Sequence, residues 1–136
     1  MIMQRTEIHS PIIRASGIYD VVLLLPFAVP VAASWIIKKL GVINDLLSLP
    51  GTIPELSPFA LLFVNMMATL AIMYSVLRIR QPNRLYGGYD VVARLLMATL
   101  IFIYLIAFEI AAVMWGFLIV EIMWAILQYI AISRKQ

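Results

Sequence analysis

Residues 88–107 read GYDVVARLLMATLIFIYLIA, a run whose only charged side chains are Asp90 and Arg94. A helix needs roughly 20 mostly apolar residues to cross the hydrocarbon core of a bilayer. Three further stretches have similar length and character, at residues 17–37, 58–77 and 111–132. Since lipid offers no hydrogen-bond partner to an open backbone, each stretch is expected to be a helix. The sequence therefore predicts an all-α integral membrane protein, a bundle of four transmembrane helices.

The composition of the whole chain is typical of the same class. Of its 136 residues, 64% are hydrophobic and 12% are charged, against roughly 25% charged in a soluble domain. The absence of cysteine excludes disulfides and thiol chemistry, and the single histidine, His9, cannot form a pair of histidine ligands. We expect one membrane domain at 17–132 with short tails at 1–16 and 133–136. No cofactor, metal or nucleic-acid partner is expected.

Basic side chains are divided unequally between the two ends of the predicted helices. One end holds Arg5 and Arg14 in the N-terminal tail, Arg78, Arg80 and Arg84 in the loop between the second and third crossings, and Arg134 and Lys135 at the C-terminus. The other end holds Lys38 and Lys39, which Asp45 and Glu55 offset. Because short loops rich in Lys and Arg stay in the cytoplasm, both termini are expected to be cytoplasmic. We expect a multi-pass protein of the inner, or plasma, membrane, in contact with the lipid bilayer and assembled in a larger complex or a homo-oligomer.

Two features modify the simple picture of four straight crossings. The connection at residues 38–56 contains the turn-forming residues Pro50, Gly51 and Pro54. Its first half, LGVINDLLSL at 40–49, is amphipathic enough to lie along the membrane surface as a short helix. Within the first predicted crossing, Pro26 and Pro30 are expected to bend the helix, because each proline removes a backbone hydrogen bond.

The first and third crossings begin with similar motifs. Gly17–Val22 reads GIYDVV and Gly87–Val92 reads GGYDVV. The match predicts two duplicated helical hairpins that start on the same side of the membrane, a parallel repeat. The alternative is coincidence within a restricted apolar alphabet.

Five polar side chains at membrane depth form a candidate network, namely Asp20, Asn65, Asp90, Arg94 and Glu121. A charge at mid-helix costs about 2.5–3.5 kcal/mol, so each one needs a reason. Asp90 and Arg94 are spaced i, i+4 and face the same side of one helix. Asp20 is the repeat equivalent of Asp90, so Arg94 is expected to serve both aspartates. The network is interpreted either as a structural contact between helices or as a polar pocket facing the cytoplasm.

Glu121 lies near the middle of the fourth crossing, between Val120 and Ile122. Arg94, Asn65 and Tyr104 are its expected partners by depth. If Glu121 pairs with Arg94, it is ionised and structural. If it does not, it is a neutral acid that can exchange a proton, because a low-dielectric site disfavours the carboxylate. Glu109, at the outer end of the third crossing, is expected to reach the lipid headgroups.

The layout of four helices, the repeated hairpin start and residues 58–96, PFALLFVNMMATLAIMYSVLRIRQPNRLYGGYDVVARLL, resemble small bacterial membrane proteins of the DoxX-like kind. The resemblance covers roughly residues 16–128 and carries no catalytic residue over. It implies a four-helix bundle and an accessory role, since some members of that group accompany quinone-linked oxidoreductases.

Together these features favour a non-catalytic membrane protein, an accessory or stabilising component of a membrane complex that could also hold a lipid or a quinone. The sequence offers no acidic metal cluster, no membrane histidine and no Ser/His pair from which to build an enzyme. The alternative is a small proton-coupled exporter that uses Glu121. The chain is similar to the small multidrug exporters in size and helix number, but those proteins carry their membrane glutamate in the first helix.

Overall fold

A computed structural model describes residues 10–134, which are almost entirely helical. The helices are α1 (Pro11–Leu24), α2 (Pro30–Leu46), α3 (Pro58–Arg80), α4 (Arg84–Ala107) and α5 (Met114–Ser133), with a 3-10 turn at Leu25–Ala28. Four segments are long and apolar enough to cross a membrane, namely Pro11–Ala28, α3, α4 and α5. The predictions of an all-α chain and of four such helices are confirmed. Arg5, His9 and Lys135 lie outside the described residues.

The first crossing differs from the predicted residues 17–37. Helix α1 begins at Pro11, where a proline fits because the first helical N–H needs no partner. The regular helix ends at Leu24, and Pro26 lies in the 3-10 turn that follows. Val29 is extended, with φ −106° and ψ 121°, because a residue before proline is disfavoured in the helical region. Pro26 and Pro30 therefore divide the predicted segment, and its second half belongs to α2.

The four segments of membrane-spanning length, which we call the long helices, are Pro11–Ala28, α3, α4 and α5. They pack as two antiparallel pairs, α1 with α3 and α4 with α5, and the contacts between the pairs are sparser. We call the end where α1 and α4 begin the proximal end and the opposite end the distal end. A Cβ on Gly17 would lie 3.0 Å from the carbonyl oxygen of Ser75, and one on Gly87 would lie 2.6 Å from Cδ1 of Ile13. Both glycines of the repeated motif thus allow helices to approach closely.

Helix α2 extends along the distal end from the first pair to the second. It begins against the 3-10 turn and α3, and its 17 residues span about 25 Å. Near its end, the buried Asn44 donates from Nδ2 to the carbonyls of Leu49 (3.0 Å) and Gly51 (2.9 Å). Its Oδ1 accepts from the Val113 N–H at 3.0 Å, in the turn between α4 and α5. Of the short helix expected at residues 40–49, residues 40–46 form the second half of α2, and residues 47–49 lie beyond its end.

Gly51 explains how closely this connection approaches the α4–α5 turn. Its φ is +81°, and a Cβ there would lie 2.6 Å from the carbonyl oxygen of Ile110. Next to it, the Pro50 carbonyl accepts a hydrogen bond from the Ala112 N–H at 2.9 Å. Only glycine tolerates both the left-handed backbone and the close contact without strain. Within the described residues, the distal ends of the two pairs are therefore joined through one backbone hydrogen bond and the amide side chain of Asn44.

Candidate functional site

Four of the five residues in the predicted network meet between the helix pairs. Arg94 is at their centre and donates from Nε to Asp90 Oδ2 at 2.8 Å, the expected i, i+4 contact. Its Nη2 donates to Asp20 Oδ2 at 2.6 Å, and its Nη1 donates to Glu121 Oε2 at 2.9 Å. One guanidinium thus joins α1, α4 and α5. The pairing favours the structural interpretation of Glu121, and proton-coupled transport through it stays a prediction.

Arg78 is a second central cation, and its assignment to a basic loop needs correction. Helix α3 continues to Arg80, beyond the predicted end at residue 77, and Arg78 is buried in its last turn. Its Nη1 donates to Asp90 Oδ2 at 2.6 Å, and its Nη2 donates to Asp20 Oδ2. Helical geometry turns Arg78 to the same side as Ser75, three residues earlier, while the exposed Arg80 points elsewhere. Arg78 therefore contributes to the site and is no loop charge.

Hydroxyl and amide side chains form further hydrogen bonds with these charged groups. Arg78 Nη1 also donates to Ser16 Oγ, and Nη2 donates to Ser75 Oγ, both at 2.9 Å. The fully buried Gln128 of α5 donates from Nε2 to Asp90 Oδ2. We call the five ionisable residues the charged network: Asp20, Arg78, Asp90, Arg94 and Glu121. It connects all four long helices.

Asn65 is not part of this network. Its Nδ2 donates to the carbonyl oxygen of Phe27 at 2.7 Å, a carbonyl in the 3-10 turn where the regular helix has been interrupted. Asn65 therefore supplies a donor that the broken helix lacks. Tyr104 packs its ring against Phe108, with centroids 4.9 Å apart, and Glu109 is exposed in the α4–α5 turn with φ +50°. Of the three partners expected for Glu121, only Arg94 forms a bond to it within residues 10–134.

A cavity of about 630 Å³ lies between the helix pairs, with the charged network at one end. We call it the inter-pair cavity. From the network towards the distal end it is lined by apolar side chains, including Leu24, Phe27, Phe63, Ile101, Met114 and Phe117. Met67 of α3 and Met97 of α4 also line it and are more than half exposed. Since α3 and α4 touch each other little, the mouth of the cavity lies between them, on the side that would face lipid.

The charged network presents mainly carboxylates to this cavity. The side chains of Arg78 and Arg94 are 1% and 4% exposed, whereas those of Asp20 and Glu121 are 13% and 21% exposed. Asp20 and Glu121 each accept hydrogen bonds through one oxygen, and their second oxygens have no hydrogen bond within the described part of the chain. The polar end of the cavity therefore carries acceptors that are partly exposed and partly unused.

Aromatic rings cover both guanidinium groups. The guanidinium carbon of Arg78 lies 5.1 Å from the ring centroid of Tyr74, and that of Arg94 lies 5.9 Å from the ring centroid of Trp124. Trp124 in turn packs on Tyr19, with centroids 5.5 Å apart. Cation–π contacts of this kind strengthen when water is excluded. The arginines are thus held in fixed positions by acids and rings together.

In comparisons with protein-family models, curated proteins and solved structures, nothing matches this chain. The resemblance to DoxX-like proteins accordingly stays a prediction. Within residues 10–134, no group of three or more His, Cys, Asp or Glu side chains is arranged to hold a metal ion. The chemistry of the site is that of a charge network beside an apolar cavity.

Proposed function

We propose that this chain is a non-catalytic multi-pass membrane protein that holds an apolar or amphiphilic molecule between its two helix pairs. In this proposal it serves as an accessory or stabilising component of a membrane complex. The observation that supports the binding role is the inter-pair cavity, which has an apolar lining and the charged network at one end. Apolar pockets with a few convergent polar groups are the usual form of small-molecule sites.

The state of the charged groups supports a role without catalysis. Arg94 uses each of its three nitrogens to bind a carboxylate, and Asp90 accepts from three separate donors. Groups held in this way orient helices and a ligand, whereas a general acid or base has to exchange its proton during turnover. The duplicated hairpin fits this role, because the two copies of the motif would supply the two aspartates of one network.

We further place both termini and the α3–α4 connection in the cytoplasm, in a bacterial inner membrane. With Arg78 removed from the count of loop charges, the exposed basic residues at the proximal end within residues 10–134 are Arg14, Arg80, Arg84 and Arg134. The distal end has Lys38, which pairs with Glu55 at 3.1 Å, and Lys39. The imbalance still follows the positive-inside rule.

The experiment is extraction of the tagged chain in native lipid discs, followed by mass spectrometry of the lipids, quinones and proteins that accompany it. Ala93 lines the cavity without forming a bond to the network, so Ala93→Phe should fill the cavity. Ala107→Phe, on an exposed residue at the end of α4, is the matched control. We expect one lipid or quinone species enriched over the surrounding membrane, lost in Ala93→Phe and kept in Ala107→Phe.

The same sample tests the accessory role. A second protein in fixed stoichiometry with all three forms supports it, and a chain that emerges alone from all three contradicts it. Identical lipid profiles in the wild type and Ala93→Phe would contradict the binding role.

A further inference from the structure

We propose that the occupant of the inter-pair cavity is an amphiphilic cation, with an apolar body and an ammonium-type headgroup that binds Asp20 and Glu121. This inference rests on the proposed function, because it requires the cavity to be a binding site. It goes further by choosing among headgroups. A quinone or an anionic lipid needs hydrogen-bond donors or positive charge at the polar end of the cavity, whereas a lipophilic amine needs acceptors or negative charge.

The charged network has a net negative charge, which a cationic headgroup would balance. Two arginines, Arg78 and Arg94, stand against three carboxylates, Asp20, Asp90 and Glu121, so two positive and three negative charges leave a formal charge of −1. An uncompensated charge is costly away from water. The excess is placed on the cavity side, because Asp20 and Glu121 are the most exposed members of the network. A cationic headgroup at that point would balance the network, and an anionic one would double its imbalance.

Most of the hydrogen-bond donors that line the cavity are already in use. Tyr74 donates its hydroxyl to the Tyr86 carbonyl at 3.0 Å, and Ser75 donates to the Ala71 carbonyl at 2.8 Å. Arg78 forms four hydrogen bonds through its two Nη atoms, and Arg94 forms one through each of its three nitrogens, which leaves two of its five N–H groups unused. The one remaining nitrogen, Arg78 Nε, has no partner but is fully buried.

The two carboxylates that face the cavity, Asp20 and Glu121, each use only one of their two oxygens as an acceptor. The second carboxylate oxygens of Asp20 and Glu121 have no bond within residues 10–134. A carbonyl or phosphate headgroup, which only accepts, would find only the two unused N–H groups of Arg94, whose side chain is 4% exposed. An ammonium group, which only donates, would find two acceptors. Hydrogen bonding and charge thus select the same headgroup.

The remaining lining suits the apolar body of such a molecule. Beyond Glu121 the cavity is bounded by Leu24, Phe27, Phe117 and Met114. Its mouth between Met67 and Met97 would open to the hydrocarbon of the bilayer, so an amphiphile dissolved in lipid could enter sideways. Methionine side chains adapt readily to different shapes at such a surface.

The test is equilibrium dialysis of three decyl compounds against the full-length protein in phosphatidylcholine discs, with empty discs subtracted. Decylammonium, decanol and decyl sulfate share one chain and carry a cationic, a neutral and an anionic headgroup. We expect saturable binding of one decylammonium per chain, with an affinity at least about tenfold above that of the other two. Glu121→Gln should weaken the cation about tenfold, and Ala93→Phe should abolish its binding while Ala107→Phe does not.

The outcomes separate this inference from the proposed function. If decanol or decyl sulfate binds as tightly as decylammonium and Ala93→Phe removes both, the cavity is a binding site and the cation assignment is overturned. Unchanged cation affinity in Glu121→Gln also overturns it. Binding of none of the three above empty discs overturns the headgroup assignment and counts against the binding site itself. If Glu121→Gln fails to fold, the selectivity of the wild type and the Ala93→Phe result still decide.

Discussion

The two copies of the repeated motif each contain an aspartate, and the two aspartates have different surroundings. Asp90, in the second copy, is nearly inaccessible and accepts from Arg78, Arg94 and Gln128 through one oxygen. Asp20, in the first copy, accepts from Arg78 and Arg94 and keeps an exposed edge towards the cavity. The same three-residue spacing from glycine to aspartate thus gives one residue that is buried among the helices and one that also keeps a partly exposed carboxylate towards the cavity.

The largest loss of stability is expected from replacing Arg78, the arginine of α3 that bonds to the aspartates of both copies. Arg78→Ala removes a partner from Asp20 and Asp90 at once and should cost about 3–5 kcal/mol in the free energy of unfolding, as for other broken buried pairs. Arg80→Ala, on an exposed side chain two residues away, should change it by less than about 0.5 kcal/mol. Reversible unfolding in mixed micelles measures both. Equal effects of the two substitutions would show that Arg78 is not buried in the network.

The two aspartates themselves give the next comparison. Asp90→Asn should cost about 3 kcal/mol, because buried cations lose a charged acceptor. Asp20→Asn should cost about 1–2 kcal/mol, since fewer donors depend on it and solvent reaches its edge. The same unfolding assay ranks them. A larger loss for Asp20→Asn than for Asp90→Asn would reverse the roles assigned to the two copies.

The glycines of the two copies should respond alike, and less strongly. Gly17→Ala would place a Cβ against the backbone of α3, and Gly87→Ala would place one against Ile13 and Ile132. Overpacking of this kind should cost each variant about 1–2 kcal/mol. Gly88 has nothing within 4 Å of its Cβ position, so Gly88→Ala is the control and should be neutral or stabilising by up to about 1 kcal/mol. Loss of stability in Gly88→Ala alone would contradict the packing.

The last prediction concerns the orientation of the chain and involves no loss of stability. Both copies of the motif should begin on the same side of the membrane. The chain has no cysteine, so single substitutions can be labelled cleanly. In intact cells, a membrane-impermeant maleimide should label Thr52→Cys, at the distal end, and spare Gln81→Cys, at the proximal end, until the cells are opened. Both positions are exposed in the structure. The opposite pattern would invert the proposed topology.

The sequence located the network better than it located the helix ends. Asp20, Asp90, Arg94 and Glu121 could be grouped because a charge inside an apolar run is costly and their depths along the helices match. Arg78 was missed because it stands beside Arg80 and the polar residues 81–84, where hydropathy cannot separate the last turn of a helix from a loop. Its position three residues after Ser75 was the available signal.

Other features depend on packing that no local pattern records. The sequence predicts the first crossing at residues 17–37, whereas the structure has this segment at Pro11–Ala28. Hydropathy does not show the break at Pro26 and Pro30, because the residues on both sides of it are apolar. No pattern in residues 40–49 indicates that Asn44 joins two distant parts of the chain, since its partner Val113 lies far along the sequence. The inter-pair cavity exists only because α3 and α4 remain apart when the two pairs meet. Its volume could not be read from any single helix.

The most direct test is nuclear magnetic resonance of the full chain in lipid discs with ¹⁵N-labelled arginine, which reports how freely each guanidinium rotates. We expect two locked guanidinium groups with separate Nη1 and Nη2 signals, which Arg78→Lys and Arg94→Lys would assign to Arg78 and Arg94. The Arg80 guanidinium should rotate freely, and Glu121→Gln should shift the signals of Arg94 more than those of Arg78. Free rotation of Arg78 and Arg94 in the wild type would contradict a charged network that joins the two helix pairs.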